Sequence, residues 1–394
     1  MGVMFWIFAA CLALADLYWL ANLLLILRMI RAVPVLADLR APDPPRWPKL
    51  SLIVPACNEA RTLEAAMQSR LREDYSDVEF VLIDDRSDDG SSEIVDRVAA
   101  ADARVVPLHI RALPAEWLGK VHALHQGTQR ATGEWLLFTD ADVHFAPGTL
   151  RRAIAYCEQS GLDHLAVLPD LWPVSFLVDA ALTSFARLFC LSVRPWALAH
   201  PASRASVGIG AFNLVRRSAF ERTAGFEWLR LTVVDDMALG QMLRRSGARS
   251  RLVNGRGMVG LHFYHSLREA ARGAEKSAIL VVLRPWWLPL TTLGTLLLFV
   301  MEWSPFLAMG VVRAPLLLAL AVSGLVTALV GVGILARWLR RPMLSALCIP
   351  LGALLMLLIT WRAWLMGLRR GGIAWRGVLY PSKVLREHDR FEFI

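Results

Sequence analysis

Cysteine is scarce in this sequence of 394 residues, and its five positions are far apart. No two cysteines stand in the spacing Cys-x-x-Cys, and Cys11 and Cys348 lie within long apolar segments. Disulfide-rich small folds and structural zinc sites both require grouped cysteines. The sequence therefore excludes a disulfide framework and a cysteine zinc site, and it fits a reducing compartment.

The N-terminus has no basic residue before its first apolar segment, which argues against a cleaved signal peptide. Residues 3–27 contain one charged residue, Asp16, and the first arginine is Arg28. A signal peptide would begin with basic residues and end at a small-residue cleavage site. The apolar run is long enough to cross a bilayer core of about 30 Å. We therefore expect an uncleaved anchor, with residue 28 onward in the cytosol.

Hydrophobic residues make up 56% of the chain, and the mean hydropathy is +0.44, but the excess is uneven. It lies in residues 1–27 and 285–366, whereas residues 46–283 have the composition of a soluble protein. The net charge of +9 comes largely from arginines beside the apolar segments. Such residues mark cytoplasmic flanks and contact anionic headgroups. We therefore expect a multi-pass cell-membrane protein and no nucleic-acid partner.

Five segments follow from this pattern: a transmembrane anchor (1–28), a linker (29–49), an α/β catalytic domain (50–283), membrane segments (284–368) and a cytosolic tail (369–394). The linker is rich in proline, which is incompatible with a helix or an interior strand, and so predicts a stiff spacer.

The membrane segments comprise apolar stretches at 286–312, 316–336 and 344–368. Three full crossings after one anchor would place the basic tail outside, against the usual charge rule. We therefore expect either 286–312 or 344–368, both interrupted by proline, to cross only partly. A further apolar segment, 171–195, lies inside the catalytic domain and fits either a buried core helix or an interfacial helix.

Short apolar runs alternate with helical patterns from residue 50, which predicts an α/β fold with a mostly parallel, doubly wound sheet. The predicted strands cover 50–55, 78–83, 105–110 and 135–139. The predicted helices cover 61–71, 91–101 and 120–131. In such a sheet, ligands bind at the carboxyl ends of the strands. The polar motifs fall at those ends.

Pro55, Asn58 and Glu59 end the first strand, and Asp85 ends the second, followed by an acidic loop at 86–91. Carboxylates grouped at a strand end repel one another, so a cationic or hydroxyl-rich ligand is expected there, and we predict that Asp85 binds it. For the loop 86–91, a turn that caps the next helix explains the residues equally well.

Asp140 and Asp142 follow the fourth strand. In an extended segment their side chains would share one side, and such hard oxygen ligands suit Mg²⁺ or Mn²⁺. His144 continues the same side, as a third ligand or as a hydrogen-bonded neighbour. Asp235 and Asp236 open an amphipathic helix. The helix dipole explains one carboxylate there, while a pair suggests a general base.

Together these motifs resemble the inverting family-2 glycosyltransferases of the GT-A fold, over about residues 50–283. The resemblance implies that Asp236 is the catalytic base, with Asp235 beside it, where the family commonly has Glu-Asp. It implies a divalent metal, Mg or Mn, held by Asp142, Asp140 and His144. It implies that the donor is bound by Pro55, Asn58, Glu59, Asp85, Lys120, Asp140 and Lys276. Within this set, Asp85 is expected to contact the uridine.

One motif departs from the family pattern. Processive polysaccharide synthases of the family carry Gln-x-x-Arg-Trp, and the matching stretch here is Glu269-Ala-Ala-Arg272-Gly273. The tryptophan that would stack on a growing glycan is absent, while Arg272, or Lys276, remains as a cation for the leaving diphosphate. The departure favours transfer of a single sugar over the alternative, a processive membrane polysaccharide synthase.

The resemblance therefore implies an inverting hexosyltransferase that uses a nucleotide-sugar donor, expected to be a UDP-sugar. The tail 371–380 resembles that of ceramide-, hopanoid- and carotenoid-associated members, which implies a membrane lipid acceptor. A nucleotidyltransferase would share the strand-end aspartates, but the sequence has no glycine- and lysine-rich loop near its start. A non-enzymatic scaffold is disfavoured by the retention of Asp85, Asp142 and Asp236.

Overall fold

The computed structural model describes residues 2–200 and 202–392. The chain forms two compact units, each assembled from separate segments. We call the first the helical unit (Met1–Ala32, Trp172–Ser192 and His262–Arg386) and the second the sheet unit (Val33–Leu171, Val193–Leu261 and Glu387–Ile394). Residues 50–283 were predicted to form a single domain, whereas residues 172–192 and 262–283 group with the long apolar helices.

The strands, in chain order, are β1 (Leu50–Ala56), β2 (Val78–Asp85), β3 (Val105–Ile110), β4 (Trp135–Phe138), β5 (His144–Phe145), β6 (His164–Leu168), β7 (Asp170–Leu171), β8 (Asn213–Arg216), β9 (Ser250–Asn254), β10 (Val259–Leu261), β11 (Gly372–Trp375) and β12 (Val378–Pro381). The helices, in chain order, are α1 (Val3–Ala32), α2 (Leu63–Leu71), α3 (Ser91–Ala101), α4 (Gly119–Arg130), α5 (Thr149–Ser160), α6 (Phe176–Ser192), α7 (Arg217–Glu221), α8 (Gly225–Trp228), α9 (Asp235–Arg245), α10 (Leu267–Gly273), α11 (Ile279–Leu283), α12 (Leu288–Val311), α13 (Pro315–Trp338), α14 (Met343–Leu347), α15 (Ile349–Arg370) and α16 (Ser382–Glu387).

The sheet unit is built on a seven-stranded sheet with the order β3-β2-β1-β4-β8-β6-β9. Strands β1 to β4 pair in parallel, and β8 is antiparallel to both of its neighbours. The predicted mostly parallel α/β sheet is therefore confirmed. Strands β1 and β2 are buried along almost their whole length, as the apolar runs of a sheet covered on both faces require.

The proline-rich linker packs along the sheet unit. The N–H of Asn254 donates to the Pro34 carbonyl at 2.8 Å, and Arg46 pairs with Glu134 at 2.6 Å. The ring of Trp47 meets that of Tyr75 edge-on, with the centroids 5.5 Å apart. The stiff spacer expected from the sequence is thus attached to the sheet.

Five helical segments are long and apolar enough to cross a membrane: Val3–Ala32, Phe176–Ala197, Pro285–Val311, Pro315–Trp338 and Ile349–Arg370. All lie wholly or mainly in the helical unit. Many of their large apolar side chains are exposed, including Leu17 and Leu293, as expected of surfaces that face lipid. In α6, Phe176 and Leu177 are exposed, whereas Phe185 stacks between Phe189 and Phe263. This helix therefore has both an outer apolar face and a packed one.

Candidate active site

The carboxyl ends of β1 and β4 meet the first turns of α4 and α9 around one small cavity of the sheet unit. Its volume is about 10 Å³, about the space of one water molecule. Among its lining residues are five that the sequence singled out: Pro55, Lys120, Asp140, Asp235 and Asp236. Four separate motifs are therefore brought together in space.

Lys120 is the central cation of this cavity. Its Nζ lies 2.7 Å from Oδ1 of Asp140 and 3.4 Å from Oδ2 of Asp235. Burial alone would lower the pKa of a lysine, but the carboxylates of Asp140, Asp235 and Asp236 outweigh it and raise the pKa of Lys120 well above its ordinary value. Lys120 therefore stays charged and joins the aspartates of the two motifs.

The carboxylate of Asp236 is fixed by the backbone. Its Oδ2 accepts from the N–H of Gly210 at 2.9 Å, and its Oδ1 accepts from the N–H of Met237 at 2.8 Å. Glycine is required at two positions of the facing segment. A Cβ on Gly208 would lie 1.7 Å from the Asp236 carbonyl oxygen, and one on Gly210 would lie 2.7 Å from Oδ2 of Asp140. The close approach of this segment sets the orientation of Asp236.

Asp140 and Asp142 stand in a turn and not in an extended segment, so the period-two argument used for them was wrong. Strand β4 ends at Phe138, and the chain turns at residues 141 and 142 before β5. The guanidinium of Arg70 holds this turn by donating to the carbonyls of Asp140 and Val143. Burial lowers the pKa of Arg70 to about 10, against the opposing effect of Asp142 and Asp140.

Asp142 lies in surroundings that favour the binding of a cation. Burial, together with the negative charges of Asp140 and Glu59, raises the pKa of Asp142 to about 7. Such a pair of partly buried carboxylates is the oxygen donor set that Mg²⁺ or Mn²⁺ prefers, with phosphate oxygens to complete the shell. The residues present therefore fit a divalent cation.

His144 does not complete a three-residue metal cluster. Across the described residues, no group of three His, Cys, Asp or Glu side chains is gathered in a way that holds a metal ion. His144 lies in the two-residue strand β5, opposite Gly260 of β10. Its role as a third ligand stays a prediction.

The loops after β1 and β2 brace each other. The N–H of Asn58 donates to Oγ of Ser87 at 3.1 Å, and the N–H of Glu59 donates to Oγ of Ser91 at 2.9 Å. Asp89 accepts from the N–H groups of Ala60 and Ser91. Asn58 adopts φ +57°, a left-handed conformation that asparagine tolerates. For Asp89 and Ser91 the turn-forming interpretation thus accounts for the side chains.

Asp85 is buried at the end of β2 and carries its own counter-ion. Arg86 Nε lies 2.7 Å from Oδ1 of Asp85, and Arg86 Nη2 lies 3.0 Å from Oδ2. The pair rests on Gly119, where an added Cβ would come within 2.6 Å of both side chains. Asp85 is therefore held in place beside the start of α4, next to Lys120.

Arg272 and Lys276 lie in the helical unit, whereas every other predicted site residue lies in the sheet unit. Arg272 is in α10, and Lys276 is in the 3₁₀ turn that follows it, with its Nζ 5.1 Å from the ring centre of Trp375. Their assignment to the leaving diphosphate stays a prediction.

Two arginines near the site were not predicted from the sequence. Arg70 occupies the buried face of α2 with Leu63, Ala66 and Met67, at the spacing i, i+3, i+4, i+7. An arginine at a core position of an amphipathic pattern is a signal that could have been read. Arg86, which pairs with the residue before it, gave no comparable signal.

The comparisons with known proteins bear on this site. Residues 51–223 match the family model described as Glycosyl transferase family 2. The chain is 33% identical over 116 residues to the uncharacterized glycosyltransferase EpsJ of Bacillus subtilis. The aligned residues cover 29% of this chain and 32% of that protein. It is 23% identical over 220 residues to 4,4'-diaponeurosporenoate glycosyltransferase of Staphylococcus haemolyticus, covering 55% of this chain and 57% of that protein. The chain thus spans less than two thirds of either relative.

Among solved structures, the mannosyltransferase PcManGT from Pyrobaculum calidifontis, in complex with GDP-Man and Mn²⁺, has the same fold. The TM-score is 0.53 at 19% identity, over 92% of this chain and 99% of that chain. The predicted GT-A fold is therefore confirmed. Residues 51–223 match the model of family-2 glycosyltransferases, in agreement with the predicted resemblance to that family.

Proposed function

We propose that this chain is an inverting glycosyltransferase that moves one sugar from a nucleoside-diphosphate sugar to a membrane lipid. The observation that carries the proposal is the arrangement of Lys120, Asp140, Asp235 and Asp236 around one cavity. It combines an oriented carboxylate with a fixed cation, which are the two elements that displacement at a sugar carbon needs. The expected donor is a UDP-sugar.

Asp236 is the proposed general base. An acceptor hydroxyl gives its proton to the carboxylate of Asp236 while its oxygen bonds to the sugar carbon, and the bond from that carbon to the diphosphate breaks. The two N–H bonds from Gly210 and Met237 leave each carboxylate oxygen with a free lone pair. One base without a protein nucleophile produces inversion, since retention by double displacement needs a second, nucleophilic carboxylate.

Lys120 and the acidic turn are proposed to serve the donor. A divalent cation held by Asp142 and Asp140 would supply positive charge for the departing diphosphate. Lys120 keeps Asp140 and Asp235 charged and oriented. Asp85, fixed by Arg86, is proposed to hold the uridine, with Pro55, Asn58 and Glu59 beside it, and Arg272 or Lys276 to add charge at the leaving group.

The lipid acceptor is supported by two observations. Five apolar helical segments exceed what is needed to tether a domain that acts on a soluble acceptor. The relative of Staphylococcus haemolyticus is named for a carotenoid acid, 4,4'-diaponeurosporenoate. Transfer of a single sugar is supported by Gly273, which stands where processive relatives have tryptophan. We propose a multi-pass cell-membrane location with the catalytic domain in the cytosol.

The test is a donor panel on membranes that contain the chain. Membranes are incubated with radiolabelled nucleotide sugars, lipids are extracted, and the labelled fraction is compared with membranes that contain Asp236→Asn. We expect one donor to label a lipid fraction by a single sugar. A labelled polymer would replace this proposal with a processive synthase, and labelling of a water-soluble product alone would contradict the lipid acceptor.

A further inference from the structure

The helical unit contains a second pocket, which the proposed function does not use as a whole. Its volume is about 490 Å³, within the range of sites that bind small molecules. Elements α10, α15 and the β11–β12 hairpin contribute to it. We call it the arginine pocket, and its main lining residues are Arg272, Glu275, Arg362, Arg370, Trp375 and Arg376.

The charge of the arginine pocket is strongly positive. Four arginines face one glutamate, which leaves a net charge of +3 around a single cavity. The ammonium of Lys276 adds a further charge on the ring of Trp375, at 5.1 Å from the ring centre. The excess of positive over negative charge around the cavity favours an anionic ligand.

Glu275 organises two of the arginines. Its Oε1 lies 2.9 Å from Nη1 of Arg362, its Oε2 lies 2.6 Å from Nη1 of Arg370, and the glutamate is buried. Arg362 also donates to the carbonyl of Ala271 at 2.8 Å. Both guanidinium groups are thus fixed on one side while about 40% of each side chain stays exposed. Fixed, partly exposed guanidinium groups are suited to bidentate recognition of phosphate.

We propose that the arginine pocket binds a phosphate group, with Trp375 as an apolar wall for the rest of the ligand. Sources of that chemistry are the headgroup of an anionic phospholipid and a free diphosphate. Among these lining residues the proposed function uses Arg272, for the leaving diphosphate. The present proposal goes beyond that function because it concerns binding at Arg362, Arg370 and Arg376 and does not require sugar transfer. A general basic flank of a membrane helix would not need the shared carboxylate of Glu275 or the aromatic wall.

Two adjacent arginines at the end of α15 provide a matched pair of variants. Arg370 lines the pocket, whereas Arg369 is exposed and does not line it. Arg370→Gln removes a pocket charge and leaves Glu275 paired with Arg362, while Arg369→Gln removes the same charge one residue away. Any loss of general attraction to anions would affect both variants equally.

The experiment is isothermal titration calorimetry on the full chain in non-ionic detergent at constant salt. The probes are inorganic pyrophosphate, dihexanoyl phosphatidic acid and, as the zwitterionic comparison, dihexanoyl phosphatidylcholine. We expect at least one of the two anionic probes to bind more tightly than phosphatidylcholine, and to bind about tenfold more weakly to Arg370→Gln but not to Arg369→Gln. Binding of phosphatidic acid alone identifies a lipid headgroup, and binding of pyrophosphate alone identifies a free diphosphate.

Absence of binding by both anionic probes, or an equal loss in the two variants, would overturn the proposal. Thermal unfolding of each variant shows whether it is folded. Where Arg370→Gln is not folded, Arg376→Gln on the hairpin takes its place, because it leaves the ion pairs of Glu275 with Arg362 and Arg370 in place. Unchanged affinity in a folded Arg376→Gln protein would then contradict the phosphate site.

Discussion

At the residue scale, Asp236 is set apart from Asp235 by its partners. Asp236 accepts two backbone N–H bonds, whereas Asp235 lies 3.4 Å from the ammonium of Lys120. The ammonium of Lys120 therefore holds Asp235, whereas the backbone holds Asp236 in a fixed orientation. This difference supports Asp236 as the base and gives Asp235 a role in positioning Lys120.

The first prediction concerns this pair of aspartates. Asp236→Asn keeps the size of the side chain but cannot take the proton, so we expect turnover to fall by about 10²–10⁴. Binding of the nucleoside diphosphate, measured by calorimetry, should be retained. Asp235→Asn is the control, with a smaller loss of turnover. Wild-type turnover in Asp236→Asn would move the base to Asp235.

The second prediction concerns the metal. Asp142→Ala should weaken binding of a nucleoside diphosphate in the presence of Mn²⁺ and leave the thermal unfolding midpoint nearly unchanged. Chelation should abolish sugar transfer, and added Mg²⁺ or Mn²⁺ should restore it. Full activity in excess chelator would remove the metal from the mechanism. For His144→Ala, an altered preference between the two metals would make it a ligand, and an unaltered preference would make it a neighbour.

At the element scale, the start of helix α5 depends on a buried acid. Glu73 accepts from the N–H groups of Thr149 and Leu150, at 3.3 Å and 2.9 Å, and so caps the first turn. Burial raises the pKa of Glu73 to about 7, above its ordinary value of 4.5, although the two N–H groups oppose the shift. The folded state therefore keeps a proton on Glu73 at pH values where the unfolded chain has lost it.

The third prediction follows from the sign of this shift. Between pH 4.5 and 7 the folded state binds more protons at Glu73 than the unfolded chain does. The contribution of Glu73 to the stability of the folded state is therefore complete below pH 4.5 and is lost as the pH rises through 7. The linked free energy is about 3 kcal/mol at most. In Glu73→Gln the thermal unfolding midpoint should change less with pH over this range than it does in the wild type. Asp74→Asn, at an exposed neighbour, is the control. An unchanged pH profile in Glu73→Gln would contradict the raised pKa.

Helices α1, α6 and α12 are joined by a buried polar cluster in the helical unit. Arg187 pairs with Glu302, donates to Oδ1 of Asn22 at 2.7 Å and donates to the hydroxyl of Tyr18 at 3.0 Å. Tyr18 donates in turn to Glu302 at 2.9 Å. Charged groups inside apolar helices are costly unless they are fully paired, and here each has several partners.

The fourth prediction concerns this cluster. Glu302→Gln and Arg187→Met should each destabilise the chain in detergent by about 3–5 kcal/mol, because each leaves a buried partner unpaired. The double variant should lose less than the sum of the two, since neither charge remains. The exposed pair Arg97 and Glu64 provides the comparison, with an expected effect below about 1 kcal/mol. Additive losses in the buried cycle would show that the pair is not coupled.

The strands and helices that lie close in sequence could be predicted, and the contacts between distant segments could not. Strand β3 and helix α3 have the predicted bounds, because continuous apolar runs and amphipathic periodicity identify both. The antiparallel insertion of β8 between β4 and β6 was not predicted, since β8 pairs with segments that precede it by 47 residues (Ala166 with Asn213) to 81 residues (Trp135 with Arg216). The turn at Asp140 was missed for a related reason, because Arg70 fixes it from another helix.

At the scale of the whole molecule, the C-terminal tail constrains the membrane topology. His388 lies 3.0 Å from Nη2 of Arg230, and the backbone of Glu392 exchanges two hydrogen bonds with the side chain of Gln241. These residues all belong to the sheet unit. A folded sheet unit lies on one side of a bilayer, so in the proposed membrane location we expect an even number of crossings between Leu261 and Glu387. We also expect that α6 does not cross once, because β6 before it and β8 after it share one sheet.

Three long helices, α12, α13 and α15, lie within that stretch, so an even number means that none or two of them cross. Their length and apolar composition favour two. Arg337 lies in the last turn of α13, and Arg340 and Arg341 follow the helix, so we expect the link between α13 and α14 on the cytoplasmic side. Arg341 pairs at 2.7 Å with Asp179 of α6, whose flanking strands belong to the sheet unit. Helices α12 and α13 would then cross as a hairpin, and α15 would not fully cross.

The fifth prediction tests this arrangement by cysteine labelling of intact cells, in a chain whose own five cysteines are replaced. A cysteine at Arg313, between α12 and α13, should react with a membrane-impermeant maleimide, because the hairpin places that link outside. Cysteines at Arg340 and at Ser382 should react only after the cells are opened. The opened-cell reaction is the control for accessibility at each position. Labelling of Ser382 in intact cells would mean an odd number of crossings, and the tail could then not pack on a cytosolic sheet unit. Labelling of Arg340 but neither of the other two would instead make α13 and α15 the crossing pair and α12 the helix that does not cross.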